Sequence, residues 1–475
     1  MNKNLFKLLM FSAMSFLVQA CTSSESPANT PAKPKNIILF IGDGMGPAYI
    51  KAYRMYRDDP TTEVVETTVF DKMLVGSLRT DPKGNSGKIK ALAELPKELA
   101  AKKRVVRGAV TDSAAAATAY ATGKKVFSRE LSVGLKEEPL LTVLQQAKKN
   151  GMSTGLIATS PLTGATPAAF AAHSSSRYAY NEIANQYIDN RYQQQPYVDI
   201  LLGGGKQFFV RKERNIVKEF ESLGYDSIYS KSQLISSSNS KMIGLFAKDA
   251  LKKMLDRDSG TPSLADMTKV ALAKLSKNNN GFFLMVEGSQ IDWAGHRQDI
   301  VGVMSEMRDF ELAITEALAF LEKDGDTQII ITADHSTGGL SVGTEVSGEK
   351  KYAWDADVVK SFSITPEEII KRAIVSGDLL AEITSATHLV LSEEEIESIN
   401  RVKLDESLVK TTKTSTDALA VITKIINDRS FTGWTTHGHT GTDVFLYASG
   451  PASGQLVGNW DNTKIGKTIF EWLKH

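Results

Sequence analysis

The residues able to do chemistry in this chain stand at the ends of apolar runs. Asp43 follows IILFIG (37–42), Glu287 is followed by Asp292 and His296 within FFLMVEGSQIDWAGH (282–296), and Asp334-His335 lies in IIITADHSTGG (329–339). A fourth stretch, HGHTG (437–441), holds His437 and His439. The runs have the character of interior strands, and in open α/β sheets ligands sit outside the carboxyl ends of the strands. Carboxylate oxygens and imidazole nitrogens gathered there suit divalent metal ions. Each signal alone has an ordinary explanation. Asp292 and His296, spaced i and i+4, could be a helix-surface ion pair, Asp334-His335 a simple turn, Asp43 between two glycines a loop cap, and the HGH histidines solvent-exposed. Occurring together in a chain with only seven histidines, they point to a metalloenzyme.

A nucleophile candidate comes from VTDSAAAATAYATGKK (110–125). The alanine run has strong helix propensity, which puts Asp112 and Ser113 at a helix N-terminus. One reading is a plain N-cap, the role Asp and Ser fill best. The other makes Ser113 a nucleophile, its developing alkoxide favoured by the helix dipole and an adjacent cation. No histidine lies nearby in sequence to act as its base, so a metal ion is expected to take that part.

The elements that must position these residues alternate. Strand-like runs at 37–42, 153–160, 198–204, 282–288, 328–334 and 443–450 are separated by amphipathic stretches such as 263–277 and 304–325. That rhythm predicts an α/β fold, a central and mostly parallel sheet flanked by helices on both faces. Two regions break it and are read as insertions, one at about 50–105 and a charged one at about 341–432 that contains the acidic helix SEEEIESINRV.

The N-terminus has targeting character. Lys3 and Lys7 precede LLMFSAMSFLV, and the stretch ends at Gln19-Ala20-Cys21, as a secretory signal peptide does. Residues 1–20 are read as the signal peptide, 21–35 as a flexible or lipid-anchored tether and 36–475 as the enzyme. Two readings compete at Cys21, a signal-peptidase cut after Ala20 or a lipid acceptor; the sole cysteine of the chain standing there favours the lipoprotein. Either way the protein is expected to be exported, periplasmic or anchored to the outer membrane. One cysteine excludes an internal disulfide. The net charge of +1 over 475 residues gives no basic footprint for nucleic acid.

GDGMG, VTDSAAAATAYATGKK, ATPAAFAAHSSSR, LLGGGKQFF, FFLMVEGSQIDWAGH, TADHSTGG and HTG occur in the order seen in alkaline phosphatases. The chain resembles that family from residue 36 to 475, apart from the insertions, the later of which would be its crown. The resemblance implies two zinc ions and one magnesium ion. Asp292, His296 and His439 resemble the ligands of the first zinc, with His439 preferred over His437 because Thr440-Gly441 follows it. Asp43, Asp334 and His335 resemble those of the second, which Ser113 would also reach. Asp43, Thr166 and Glu287 resemble the magnesium set, all oxygen as magnesium prefers. Arg177 resembles the arginine that clamps two phosphate oxygens; it could also form a structural ion pair with Asp112, and the two roles are compatible.

The activity implied is hydrolysis of small phosphate monoesters through a phosphoserine on Ser113, rising toward alkaline pH. Such hydrolysis is accelerated by up to ~10²¹, and general acid–base work contributes only about 10²–10⁴, so paired cations must carry the larger share. Two positions depart from relatives. Gly164 stands where Asp or His is usual near the magnesium, and Trp293, taken as a substrate-binding residue, stands where some members carry Lys and others His or Trp. A weaker magnesium site and looser phosphate binding are expected from the missing charges. Relatives are often homodimers, which extends that expectation to this chain. The rival readings are a phosphodiesterase or sulfatase on the same fold, and a non-catalytic phosphate- or zinc-binding lipoprotein. Glu287 and Thr166 argue against a diesterase, and Ser113 lacks the Cys/Ser-x-Pro-x-Arg context of sulfatases.

Overall fold

Seven residues, NIILFIG, form the strand β1 (Asn36–Gly42), and every one of them is buried. Side chains alternate between the faces of a strand, so a strand buried throughout is covered on both sides. The computed structural model describes residues 33–84, 108–134, 136–346, 348–350, 352–404 and 416–474. The stretch read as a signal peptide, Cys21 and nearly all of the stretch read as a tether lie outside the described residues.

In chain order the strands of the main sheet are β1, β2 (Leu74–Arg79), β3 (Ser153–Pro161), β4 (Ile200–Gly204), β5 (Asp226–Ile228), β6 (Met242–Leu245), β7 (Phe282–Gly288), β8 (Thr327–Ala333), β9 (Val444–Ser449) and β10 (Gly458–Asp461). They lie side by side in the order β10-β2-β9-β8-β1-β7-β3-β4-β6-β5. Only β9 is reversed, running antiparallel to β8 and to β2. Strand β2 falls inside the stretch read as an insertion at about 50–105, so that reading is corrected for residues 74–79, which belong to the sheet. Its sequence LVGSLR is half-exposed and broken by Gly76, which hid it. Residues 85–107 lie outside the described residues.

The register matters most at the centre. Ile41 of β1 pairs with Glu287 of β7 and with Thr332 of β8, and Gly42 with Gly288 and Ala333. Ala158 of β3 also pairs with Glu287. Asp43, Glu287 and Asp334 therefore leave three adjacent parallel strands at one level, at their carboxyl ends. The surrounding helices include α1 (Pro47–Arg57), α2 (Ser113–Thr122), α3 (Ala165–Ala171), α4 (Leu264–Leu275), α5 (Gln290–His296), α6 (Ile300–Asp324) and α7 (Thr463–Trp472). The alanine-rich α2 is buried along its whole length and packs between α3 and α7. Small side chains permit that close approach, and Gly123 (φ 67°) ends the helix in a left-handed cap.

The later insertion is helical, with Ala356–Lys360, Pro366–Ser376, Leu379–Ala386, Glu393–Asn400 and Thr416–Ser430 among the described residues. Its two ends meet: Ser341 pairs with Gly433 and Val342 with Thr432 as a short antiparallel bridge. A second short pair lies closer to the sheet, Ser336 against Thr440 and Thr337 against His439. That pair returns the chain to the carboxyl ends of the strands after the excursion. No described helix is long and apolar enough to cross a membrane.

Candidate metal centre

Two clusters of ligand-type side chains form at this sheet edge, Asp43 with Asp334 and His335, and Asp292 with His296 and His439. In the first, His335 Nε2 lies 3.2 Å from Asp334 Oδ2, 3.4 Å from Asp43 Oδ1 and 3.1 Å from Ser113 Oγ. One ring nitrogen carries either a proton or a lone pair, so it cannot satisfy two carboxylates and a hydroxyl together. The three oxygens and the nitrogen converge as ligands do. No histidine is near Ser113 in sequence, but one is near it in space. His335, 222 residues away in sequence, is brought there by strand register.

Burial sharpens the case. Asp43 Oδ1, Asp334 Oδ2 and Thr166 Oγ1 are all buried without a hydrogen-bond partner. A buried oxygen without a partner costs about 1–3 kcal/mol, and a bound cation would remove that cost. Burial, reinforced by Asp334, Asp292 and Glu287, pushes the Asp43 carboxyl well above its usual range. Burial likewise raises Asp334 to about 6. It raises Glu287 to about 7, although the hydroxyls of Ser289 and Ser160 work the other way. His335 is held well below its usual value by burial and then by His439, so its ring is neutral and fit to ligate. Several crowded carboxylates beside a neutral imidazole make a site that lacks positive charge, which is the chemistry of a divalent-cation site.

In the second cluster, Asp292 and His296 share a face of α5, with Oδ2 and Nε2 3.3 Å apart. His439 Nε2 lies 3.6 Å from Asp292 Oδ1 and 3.1 Å from His296 Nε2. Burial opposes ionisation of Asp292, but His296, His335 and His439 outweigh it and hold the carboxyl below its usual range. Thr337 donates a short hydrogen bond to the same carboxylate. His437 is exposed and supports His296 through mutual contacts between ring nitrogens and backbone carbonyls. The cluster takes in His439 and not His437.

Ser113 opens α2 and is buried. Asp112 is its N-cap, accepting from Ala115 N at 3.2 Å and from Arg129 N at 3.0 Å. The other oxygen of the same carboxylate accepts from the Arg177 guanidinium at 3.0 Å. Arg177 is thus fixed beside the nucleophile candidate. Burial lowers its pKa, but Asp112 and then Asp43 outweigh that, so its charge is secure.

Beside Glu287, the Ser160 hydroxyl donates to its carboxylate at 3.3 Å. A side chain at Gly164 would meet the Pro161 carbonyl at 2.9 Å and Ser160 Oγ at 3.0 Å. Ser160 therefore occupies the room that a larger residue at 164 would need. Nothing in the sequence singled out Ser160; the only signal is a hydroxyl at the carboxyl end of a strand. Trp293 is half-buried and lines a cavity of about 400 Å³ with Lys253, Arg297, Glu367 and Lys371. The wall of that cavity includes neither Ser113 nor Arg177.

Known proteins resemble this chain over nearly its whole length. A sequence model of the alkaline phosphatase family matches residues 34–475. Alkaline phosphatase 3 of Bacillus subtilis is 40% identical over 485 aligned positions, covering 100% of this chain and 97% of its own length. Among solved structures, a cold-active alkaline phosphatase of a psychrophilic Shewanella is 38% identical with a TM-score of 0.79, covering 93% of this chain and 100% of its own. A variant of the TAB5 alkaline phosphatase, described with magnesium in its M3 site, is 26% identical with a TM-score of 0.64, covering 93% of this chain and 99% of its own. The full-length match, on a sheet whose carboxyl edge gathers these carboxylates, imidazoles and a buried serine, places this chain in the alkaline phosphatase family, as a phosphomonoesterase.

Proposed function

We propose that Ser113 is the nucleophile of this phosphomonoesterase and that a phosphoserine forms on it. The observation carrying this reading is the convergence of Ser113 Oγ, His335, Asp43 and Asp334 within hydrogen-bond or ion-pair distance at the sheet edge, with Arg177 held alongside by Asp112. Ser113 Oγ gives up its proton to solvent water and attacks phosphorus, the bond from phosphorus to the leaving oxygen breaks, and that oxygen takes up a proton from water. A water molecule then attacks the phosphoserine, releasing inorganic phosphate and restoring the hydroxyl. Arg177 holds the non-bridging oxygens through the transfer, and its tie to Asp112 fixes the guanidinium in advance. Zinc held by Asp292, His296 and His439, a second zinc held by Asp43, Asp334 and His335, and magnesium held by Asp43, Thr166 and Glu287 would supply positive charge to the attacking, leaving and non-bridging oxygens. The imidazoles fall to the softer ion and the all-oxygen set to the harder one.

Hydrolysis of p-nitrophenyl phosphate that is lost with chelator and restored by zinc and magnesium is the expected result. Bis-p-nitrophenyl phosphate and a sulfate ester should be turned over far more slowly. Acid-quenched enzyme should carry labelled phosphate on Ser113. A Ser113→Ala protein with near-native turnover would end the proposal.

Export and anchoring at Cys21 are proposed from the leader sequence alone. Palmitate labelling that disappears in Cys21→Ala is expected, and labelling that persists would refute the anchor. A homodimer is proposed from the family resemblance; light scattering at the monomer mass would refute it.

A further inference from the structure

Arg129 stands in an unusual place. Its φ of 71° lies in the left-handed region, where a non-glycine residue costs about 1 kcal/mol or more. Its backbone closes a small ring of contacts around the nucleophile. The Arg129 N–H donates to Asp112 Oδ1 at 3.0 Å, its carbonyl accepts from Arg177 N at 2.8 Å, and the Arg177 guanidinium returns to Asp112 Oδ2 at 3.0 Å. The neighbouring Leu131 and Ser174 exchange two further backbone bonds, which set the register. Any residue could supply these backbone groups, and glycine would do so without strain. The arginine side chain is therefore not needed to hold the ring.

That side chain is exposed, with its guanidinium carbon 5.9 Å from the centre of the Tyr178 ring. Tyr178 follows Arg177 directly and is 55% exposed. Among the described residues no carboxylate forms an ion pair with Arg129. An unpaired guanidinium is thus carried on an aromatic face, on a residue whose backbone bonds both Asp112, the cap of the Ser113 helix, and Arg177. Neutral leaving groups gain little from it, whereas anionic ones gain a charge-assisted contact.

We propose that Arg129 is a specificity-determining residue, binding a second anionic group on the leaving group and so favouring phosphomonoesters that carry one. This deepens the proposed function and rests on it. Glycerol 3-phosphate and 3-phosphoglycerate make the test pair, since they differ by a neutral alcohol against a carboxylate. Turnover of glycerol 3-phosphate by the native holoenzyme tests the phosphatase reading by itself. The ratio of kcat/KM values, carboxylate substrate over neutral, tests Arg129.

Arg129→Gly keeps both backbone hydrogen bonds and relieves the φ strain. It should lower the ratio by about three- to fivefold, the scale of an exposed ion pair, and Arg129→Glu should lower it further. Added salt should shrink the ratio in the native enzyme and leave it nearly unchanged in Arg129→Gly. Calorimetric titration of both esters into the Ser113→Ala holoenzyme gives the same comparison without turnover. An unchanged ratio in both variants, or an equal fall for both substrates, would overturn the proposal.

Discussion

The Nε2 atoms of His296 and His439 lie 3.1 Å apart, while the Nδ1 of each ring is held against a backbone carbonyl, that of His437 for His296 and that of Thr111 for His439. A carbonyl can only accept, so each Nδ1 carries the proton. In the neutral rings two bare lone pairs then face each other across a gap that Asp292 also borders. Lone pairs repel unless positive charge stands between them.

Metal content follows from that pair. His296→Ala and His439→Ala should each lose about one zinc equivalent per chain, measured by elemental analysis after dialysis, while His437→Ala keeps its zinc. Chelation should lower the melting temperature, because the buried carboxylates lose their compensating charge. Full zinc content in His439→Ala would show that the facing nitrogens are not ligands.

Asp112 accepts from Ala115, Arg129 and Arg177 at once. Asp112→Asn retains an oxygen for the cap but loses the charge that anchors Arg177. Its stability should stay close to native while KM for p-nitrophenyl phosphate rises severalfold. Asp112→Ala should show the same rise and lose about 1 kcal/mol of stability with the cap. Unchanged KM values in both would mean that Arg177 keeps its position without Asp112.

Gly44 has φ of 71°, and a Cβ there would meet Thr337 Oγ1 at 2.7 Å and the Asp292 Cα at 2.9 Å. Its N–H also donates to Asp334 Oδ1 at 3.0 Å. Gly44→Ala should lose about 1–2 kcal/mol to backbone conformation and, by displacing Asp292 and Asp334 together, weaken metal retention in both clusters. Native zinc affinity in Gly44→Ala would show that the turn yields without moving either carboxylate.

Asp299, the N-cap of α6, is fully buried, and burial raises its pKa from 3.8 to about 6 despite the nearby Lys253. The folded state thus binds its proton more tightly than the unfolded chain does. Stability should fall as pH rises from about 4 to 6, with the cost complete above that window. Asp299→Asn keeps an oxygen for the bond from Gly302 N, now 2.8 Å, and carries no charge. It should be more stable than the native protein at pH 8 by up to about 3 kcal/mol, with the gain vanishing near pH 4. Denaturant unfolding at the two pH values checks this, and a variant less stable at pH 8 would reverse the sign.

Much of the frame was legible because it is written locally. Long apolar runs such as IILFIG and FFLMVEG have no outlet except burial, and they form β1 and β7. The helices expected at 263–277 and 304–325 appear as α4 and the longer α6. Short or half-exposed strands were not legible. Strand β10, GNWD, offers neither apolar alternation nor length, and β2 is interrupted by glycine. Their pairing comes from the neighbour beside them rather than from their own pattern.

From the sequence alone came the kinds of atoms available at each strand end, since residue type and burial tendency are properties of short segments. The family resemblance implied how those atoms group, but only the tertiary structure makes them meet. Strand register levelled Asp43, Glu287 and Asp334, the short pairing of Thr337 with His439 selected that histidine over His437, and packing of α2 brought Ser113 to His335 across 222 residues. Distances of about 3 Å between segments so remote depend on the summed geometry of every element between them, which no local pattern encodes.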